Sequence, residues 1–429
     1  MSISIGERIR HLRIYRKMSQ SELVEGICSV AYLSKIENGK AKPSNQFLEK
    51  VSVKLNIEFE MLKNQNDDGF QEEIETILFK MEEQSKALSQ EEESLLKMAL
   101  LEFIPTQLLV RVFTTLFKEL VEKKSMIEAN KLYDSYYKKL MNETEDLEVE
   151  SQSEQKNYLA LHNVLGKYFY VQQNFNQSDY HYSISETLIS DSKDIESAKL
   201  YYNISLVKQR ILEDKTLALF YSKRSYEIFR RENDLDNLVR VLITMGVQYH
   251  LLSKYDFSLK SLREAQKHLE EFQSKSRQVF LPMITYNMGR VYQKLEEYEE
   301  AILYYNKSLA CTESDVQKCY ILKGMLEIRL KKKEWPTVKK LLDETFTLVN
   351  KNKLTHMEIE LHSIKSKVFK NRGDHFNYEK TIKYAIECAV SEGYTPLIKE
   401  MAEELADYYF ELRLYKKSSE YYFLALSNS

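Results

Sequence analysis

The sequence predicts an all-α protein in which a small helical head precedes a long array of paired helices. Three observations carry that expectation. Only 10 Gly and 5 Pro punctuate 429 residues, so helices are long and their connections short. Apolar residues recur at helical spacing, as in Ile5, Ile9 and Leu12 or Phe47, Val51 and Leu55. From Gly166 onward a small residue returns at nearly regular intervals, the mark of a repeated helical unit.

Composition narrows the class. A chain with 43% hydrophobic and 30% charged residues is expected to be soluble and globular. Cys28, Cys311, Cys319 and Cys388 are scattered without CxxC or Cys/His ligand spacing, and "MSISIGERIRHLR" offers neither an apolar leader nor a cleavage site. No apolar run approaches the roughly 18 to 20 residues that span a bilayer. A cytoplasmic protein with no membrane segment, metal or cofactor is therefore expected. The net charge of −3 conceals an asymmetry: residues 1–66 hold 11 Lys+Arg against 7 Asp+Glu, and the rest hold 51 against 58. A basic head and a mildly acidic body meet at "NQNDDGF", residues 64–70, a polar run that suits a linker. The expected domains are 1–66 and 67–429.

Five short helices are expected in the head. Ile5, Ile9, Leu12 and Ile14 mark the first, Leu23 and Ile27 the second, Tyr32, Leu33 and Ile36 the third, and Phe47, Val51 and Leu55 the fourth, with a last one near Phe59 to Lys63. Ser19 caps the second helix, with Glu22 three residues on as a capping box. Ser29 caps the third, Asn38–Gly39 offers a left-handed stop, and Pro43–Ser44 opens the fourth.

The stretch "MSQSELVEGICSVAYLSKIENGKAKPS" thus reads as helix, tight turn, helix, and residues 5–63 resemble the XRE/Cro-type helix-turn-helix. That resemblance implies that Val30 to Asn38 lies in the DNA major groove, with Ser29, Val30, Ala31, Ser34 and Lys35 facing base edges and Tyr32 at the rim. Gln20 would contact phosphate and brace the reading helix, and Arg13, Arg16, Lys17, Lys40 and Lys42 would offer further backbone contacts. Val30 and Ala31 can make only apolar contacts, such as with a thymine methyl, so hydrogen-bonded reading falls to Ser34 and Lys35. A helical protein-docking domain is the bland alternative.

The body is a repeat. Gly166, Ser205, Gly246, Gly289, Gly324, Ser366 and Ala406 are separated by 39, 41, 43, 35, 42 and 40 residues, each fitting one helical hairpin. Aromatics follow three residues later at Phe169, Tyr249, Tyr292, Phe369 and Tyr409. The pattern resembles the tetratricopeptide repeat, slightly lengthened. Residues 70–104 and 107–140 read as two further pairs, so about eight or nine hairpins are expected to curl into a right-handed superhelix with a concave groove. No GxGxxG, GxxxxGK[ST], HExxH or GxSxG motif occurs, so no enzyme is expected.

Asn287 precedes Gly289 by two residues, Asn203 precedes Ser205 by two, and Asn163 precedes Gly166 by three. First-helix residues of such repeats line the concave face, where an asparagine can donate to a peptide carbonyl and accept from its amide together. A DNA-binding head joined to such a groove resembles the RRNPP family of cytosolic peptide-pheromone receptors. The resemblance implies a short signalling oligopeptide held by Asn163, Asn203 and Asn287, with Tyr202, Gln209, Arg210, Tyr286, Arg290 and Gln293 reading side chains or termini. It also implies a homodimer or higher oligomer placing two heads on a two-fold operator, with no catalytic residue. A second reading stays open. Residues 91–103, "EEESLLKMALLEF", resemble the helix by which Rap proteins engage a sporulation response-regulator protein; Glu92 stands where those proteins carry a water-orienting glutamine, and Gln90 lies two residues off. A third is a scaffold whose groove takes protein tails.

Overall fold

The computed structural model describes residues 5–16, 18–57, 59, 62, 68–84, 88–100, 104–137, 151–189, 194–212, 214–271 and 276–428. Their regular structure is helical, with no strand among the described residues. Two compact units divide the chain, Met1–Glu213 and Asp214–Ser429.

The first unit opens with α1 (Ile5–Tyr15), α2 (Gln20–Val24), α3 (Val30–Glu37) and α4 (Asn45–Leu55). Ile9, Leu12, Leu23, Leu33, Ile36, Val51 and Leu55 are buried, as their periodicity requires. Ile14 is the exception at 54% exposure: two residues past Leu12 it is turned about 200° around the helix, away from the core. Three serines start three helices. Each Oγ accepts from the backbone N–H three residues on: Ser19 from Glu22 at 3.2 Å, Ser29 from Tyr32 at 3.3 Å and Ser44 from Phe47 at 3.2 Å. Glu22 returns the favour by accepting from Ser19 N–H at 2.6 Å. Gly39, at φ +69, ends α3 in the left-handed region. Of the fifth expected helix, Phe59 and Leu62 are helical and Leu62 is buried; the others lie outside the described residues, as do 64–67 of the expected linker.

The unit continues through α5 (Asp68–Gln84), α6 (Gln90–Ala99), α7 (Thr106–Glu122), α8 (Met126–Leu132), α9 (Gln152–Val171), α10 (Phe175–Leu188) and α11 (Ile195–Ile211). α8 runs into a π-helical turn at Tyr133–Tyr137 where the sequence predicts uninterrupted α-helix. The wider turn stacks Tyr133 on Tyr137 with centroids 4.6 Å apart, above Phe113 and Phe117 of α7.

Beside that aromatic cluster, His162 of α9 and His181 of α10 are both buried, with Nδ1 atoms 3.0 Å apart. Such a contact needs one Nδ1–H and one bare nitrogen, so the pair holds when both rings are neutral. Burial pulls His162 down to about 4 and His181 to about 3, the second also repelled by the first. The unfolded chain binds protons below about 6.5, which the folded pair refuses, so stability is full above that pH and lost as pH falls toward 4. Each histidine contributes a slope of up to about 1.4 kcal/mol per pH unit in that window. Urea midpoints measured from pH 7 to pH 4 should fall accordingly, and a His181→Asn variant should fall less steeply.

The second unit begins with α12 (Thr216–Arg231) and then stacks antiparallel pairs: α13 (Leu235–Leu251) with α14 (Tyr255–Glu271), α15 (Arg277–Lys294) with α16 (Tyr298–Cys311), α17 (Asp315–Lys331) with α18 (Trp335–Asn352), α19 (Thr355–Asn371) with α20 (His375–Glu392), and α21 (Thr395–Glu411) with α22 (Tyr415–Leu426). The recurrent small residue has a steric cause. Tyr305 of α16, fully buried, is wedged between Gly289 of α15 and Gly324 of α17, and a Cβ on either glycine would lie 2.7 Å from its ring. Tyr182 and Leu262 sit likewise over Gly166 and Gly246. The repeat thus spaces the points where one helix must approach another closely enough to seat a large side chain.

Candidate nucleic-acid interface and ligand cavity

α3 presents a strip of small and basic residues. Val30 is 43% exposed, Ser29, Ala31 and Lys35 are exposed, and Ser34 is half-buried. Ser29 also caps the helix, and Asn38 Nδ2 donates to the Ser34 carbonyl at 2.8 Å. Tyr32 turns inward and meets Phe47 of α4 edge-on, centroids 5.7 Å apart. Lys40 and Lys42 are exposed beyond the helix, and Arg16, also exposed, reaches the Asn56 carbonyl at 3.4 Å. Lys17 lies outside the described residues.

Two residues expected on the phosphate side are engaged within the head. Arg13 donates to the Glu37 carboxylate through Nε at 2.7 Å and Nη2 at 3.0 Å, and through Nη1 to the Met18 carbonyl at 2.9 Å. Gln20 Nε2 donates to the same carboxylate at 2.6 Å. Glu37 is 3% exposed, so α1 and α2 are fastened to the end of α3 by one enclosed acid. Sequence reasoning missed Glu37, because nothing in its local spacing points to a partner 24 residues away. Lys54 of α4 adds a second fastening, donating to the Glu22 and Glu25 carbonyls at the end of α2, at 2.9 and 2.7 Å.

The second unit contains a cavity of about 690 Å³ lined chiefly by first helices of three successive pairs, α13, α15 and α17. It brings together Tyr286, Arg290 and Gln293 from the expected set, and adds His250, Lys294 and Glu327. Tyr305 O–H donates to Gln293 Oε1 at 2.5 Å, and Gln293 Nε2 donates to Glu327 Oε2 at 2.9 Å. This relay fixes the glutamine's orientation and holds a carboxylate at the wall. Lys323 and Lys331 are matched by Glu360 and Glu296, at 2.5 and 2.7 Å. Burial pushes the Tyr286 hydroxyl up and pulls His250 down to about 4, with Arg290 and Lys294 adding repulsion to the latter. Asn287 is half-buried on the same helix, and its Nδ2 donates to the Met283 carbonyl one turn back at 2.9 Å.

The other groove candidates belong to the first unit. Asn163 of α9 and Gln209 of α11 are half-buried, and their side-chain oxygens are enclosed without a hydrogen-bond partner among the described residues. Tyr202 and Asn203 are half-buried on α11, and the Arg210 guanidinium lies 5.9 Å from the Phe175 ring centroid.

Glu92 is committed to local structure. It accepts from Ser89 N–H at 2.8 Å while Ser89 Oγ accepts from Glu92 N–H at 3.1 Å, and Lys80 donates to its other oxygen at 2.5 Å. Lys80 and the cap hold its carboxyl below the usual range. A charged helix cap is poorly suited to orienting an attacking water. Gln90 lies at the start of the same helix, and Phe103 falls outside the described residues. Among the described residues no cluster of three metal-ligating side chains occurs, and no helix is long and apolar enough to cross a membrane.

Residues 9–62 match the family described as Helix-turn-helix. The transcriptional activator NprA of Geobacillus stearothermophilus is 24% identical over 426 residues, spanning 93% of this chain and 97% of that protein. The apo form of the quorum sensor NprR from B. thuringiensis superposes with a TM-score of 0.64 at 19% identity, covering 84% of this chain and 98% of that one. NprR in complex with its cognate peptide NprX gives 0.56 at 17% identity, covering 84% and 99%. At these identities the solved structures speak for the fold, and the head match and the nearly full-length relative speak for descent. In combining a helix-turn-helix head with tetratricopeptide-like helical pairs, the chain is similar to these regulators and resembles the RRNPP family.

Proposed function

We propose that this chain is a transcription regulator that binds operator DNA through α3 and is switched by a short signalling peptide held in the groove of its helical pairs. The single observation that carries the reading is the coexistence, in one chain, of an exposed reading helix and a polar cavity built by three first helices. The relative's name, transcriptional activator, and the peptide bound to NprR support the two halves of the reading.

On the DNA side, Ser29, Val30, Ala31, Ser34 and Lys35 face the bases, and Lys40, Lys42 and Arg16 the phosphates. Arg13 and Gln20 hold the reader at its angle. Lys35→Ala should cost about 1 to 3 kcal/mol on the preferred site and relax preference there, whereas Lys42→Ala should weaken all duplexes alike and lower the salt slope by about 1. Selection from randomised duplex DNA followed by titration checks both. A Lys35→Ala variant that selected the same sequence at full affinity would remove α3 as the reader.

On the peptide side, Asn163, Asn203 and Asn287 are the proposed contacts to the peptide backbone. Asn287 must exchange its bond to Met283 for one to the ligand, so that the ligand replaces a contact and leaves no buried group unpaired. Binding that favours one arrangement of the helical pairs would reposition two heads of a dimer on a two-fold operator.

A further inference from the structure

Two cations in the second-unit cavity form no salt bridge among the described residues. Lys323 and Lys331 are matched, but Arg290 and Lys294, one turn apart on α15, enter no ion pair among the described residues. Like charges at that spacing repel each other within a helix. Both line the same cavity as His250 of α13, which is 9% exposed and whose Nδ1 is enclosed with no hydrogen-bond partner among the described residues. Arg290 is further oriented by the Tyr286 ring, its guanidinium carbon 5.9 Å from the centroid. A guanidinium, an ammonium and an unpartnered imidazole on two adjoining helices make a built anion site. Of the two carboxylates that line the cavity, Glu296 pairs with Lys331 and Glu327 accepts from Gln293.

We propose that this corner binds a carboxylate of the peptide ligand, with Arg290 as the planar fork, Lys294 as the second cation and His250 as a further hydrogen-bonding partner. The inference rests on the peptide reading above and assigns that site its ligand chemistry. The carboxylate comes either from the peptide's C-terminus or from an acidic side chain.

Three sets of synthetic heptapeptides distinguish these: free C-terminus without acidic side chains, amidated C-terminus with one Asp or Glu, and amidated C-terminus without any acid. The full-length protein is mixed with each set, separated by size, and the retained peptides are identified by mass spectrometry. At least one acid-bearing set should be retained tenfold or more above the acid-free amides, and which set it is names the source. In an Arg290→Gln, Lys294→Gln variant with an unchanged melting curve, that preference should vanish. Equal retention of the acid-free amides by the parent protein, or an undiminished preference in the variant, would overturn the carboxylate assignment while leaving peptide binding intact. Retention of no set at all would overturn the peptide reading and this inference with it.

Discussion

Gly6→Ala should abolish DNA binding by unfolding the head while leaving the second unit folded. A Cβ at position 6 would stand 1.8 Å from the Ile36 carbonyl oxygen and 2.7 Å from its carbon, where carbon contacts normally begin at about 3.5 Å. The obstacle is backbone on the reading helix, so no side chain can swing aside. Alanine's helix propensity would favour the substitution by about 0.5 to 1 kcal/mol. Overpacking against a fixed backbone costs about 1 to 3 kcal/mol and more where nothing can yield, so the clash wins. A head of about 60 residues has little stability to spare. Hydrogen exchange should show protection lost across α1 to α4 and retained in α13 to α21. Retained protection in α3 would mean that the close approach of α1 and α3 is not needed.

Glu37→Ala should be nearly as damaging, because it strands Arg13, whose side chain is 11% exposed, and removes the acceptor of Gln20. Breaking one partner of a buried pair costs about 3 to 5 kcal/mol, chiefly through the charge left behind. Removing both charges should cost far less. An Arg13→Met, Glu37→Leu chain should recover most of the folding of the head, since apolar replacement of a buried pair is often neutral. Comparing urea midpoints, read by exchange at α3, for the two single variants and the pair separates the ion pair from the packing. A double variant no better than Glu37→Ala would show that the contacts to Gln20 and Met18 dominate.

The sequence made the helices legible wherever the signal is local. Ser19 with Glu22, Ser29 and Ser44 each cap within three residues, and all three caps form. The repeat was visible in the returning small residues, although its cause, the seating of Tyr305 between Gly289 and Gly324, depends on helices from two neighbouring pairs. Periodicity indicates which face of a helix is buried and says nothing of what it meets. Arg13 looked like a phosphate contact because its partner, Glu37, lies on another helix. Asn287 looked like a groove amide, and its spacing could not show the bond to Met283. Within the cavity, Tyr286, Arg290 and Gln293 were legible from their repeat position, whereas His250 belongs to the preceding pair and Lys294 carries no repeat signature. The π turn at Tyr133–Tyr137 has no sequence mark distinct from α-helix.

The central claim, that occupancy of the groove alters what the head does on DNA, is tested most directly by genomic capture of the DNA bound by the full-length protein, with and without spent medium from the cells that make it. The account predicts a discrete set of two-fold sites whose occupancy changes severalfold with the medium, and no such change for the Asn203→Ala, Asn287→Ala variant. The same sites bound equally under both conditions by the parent chain would contradict it.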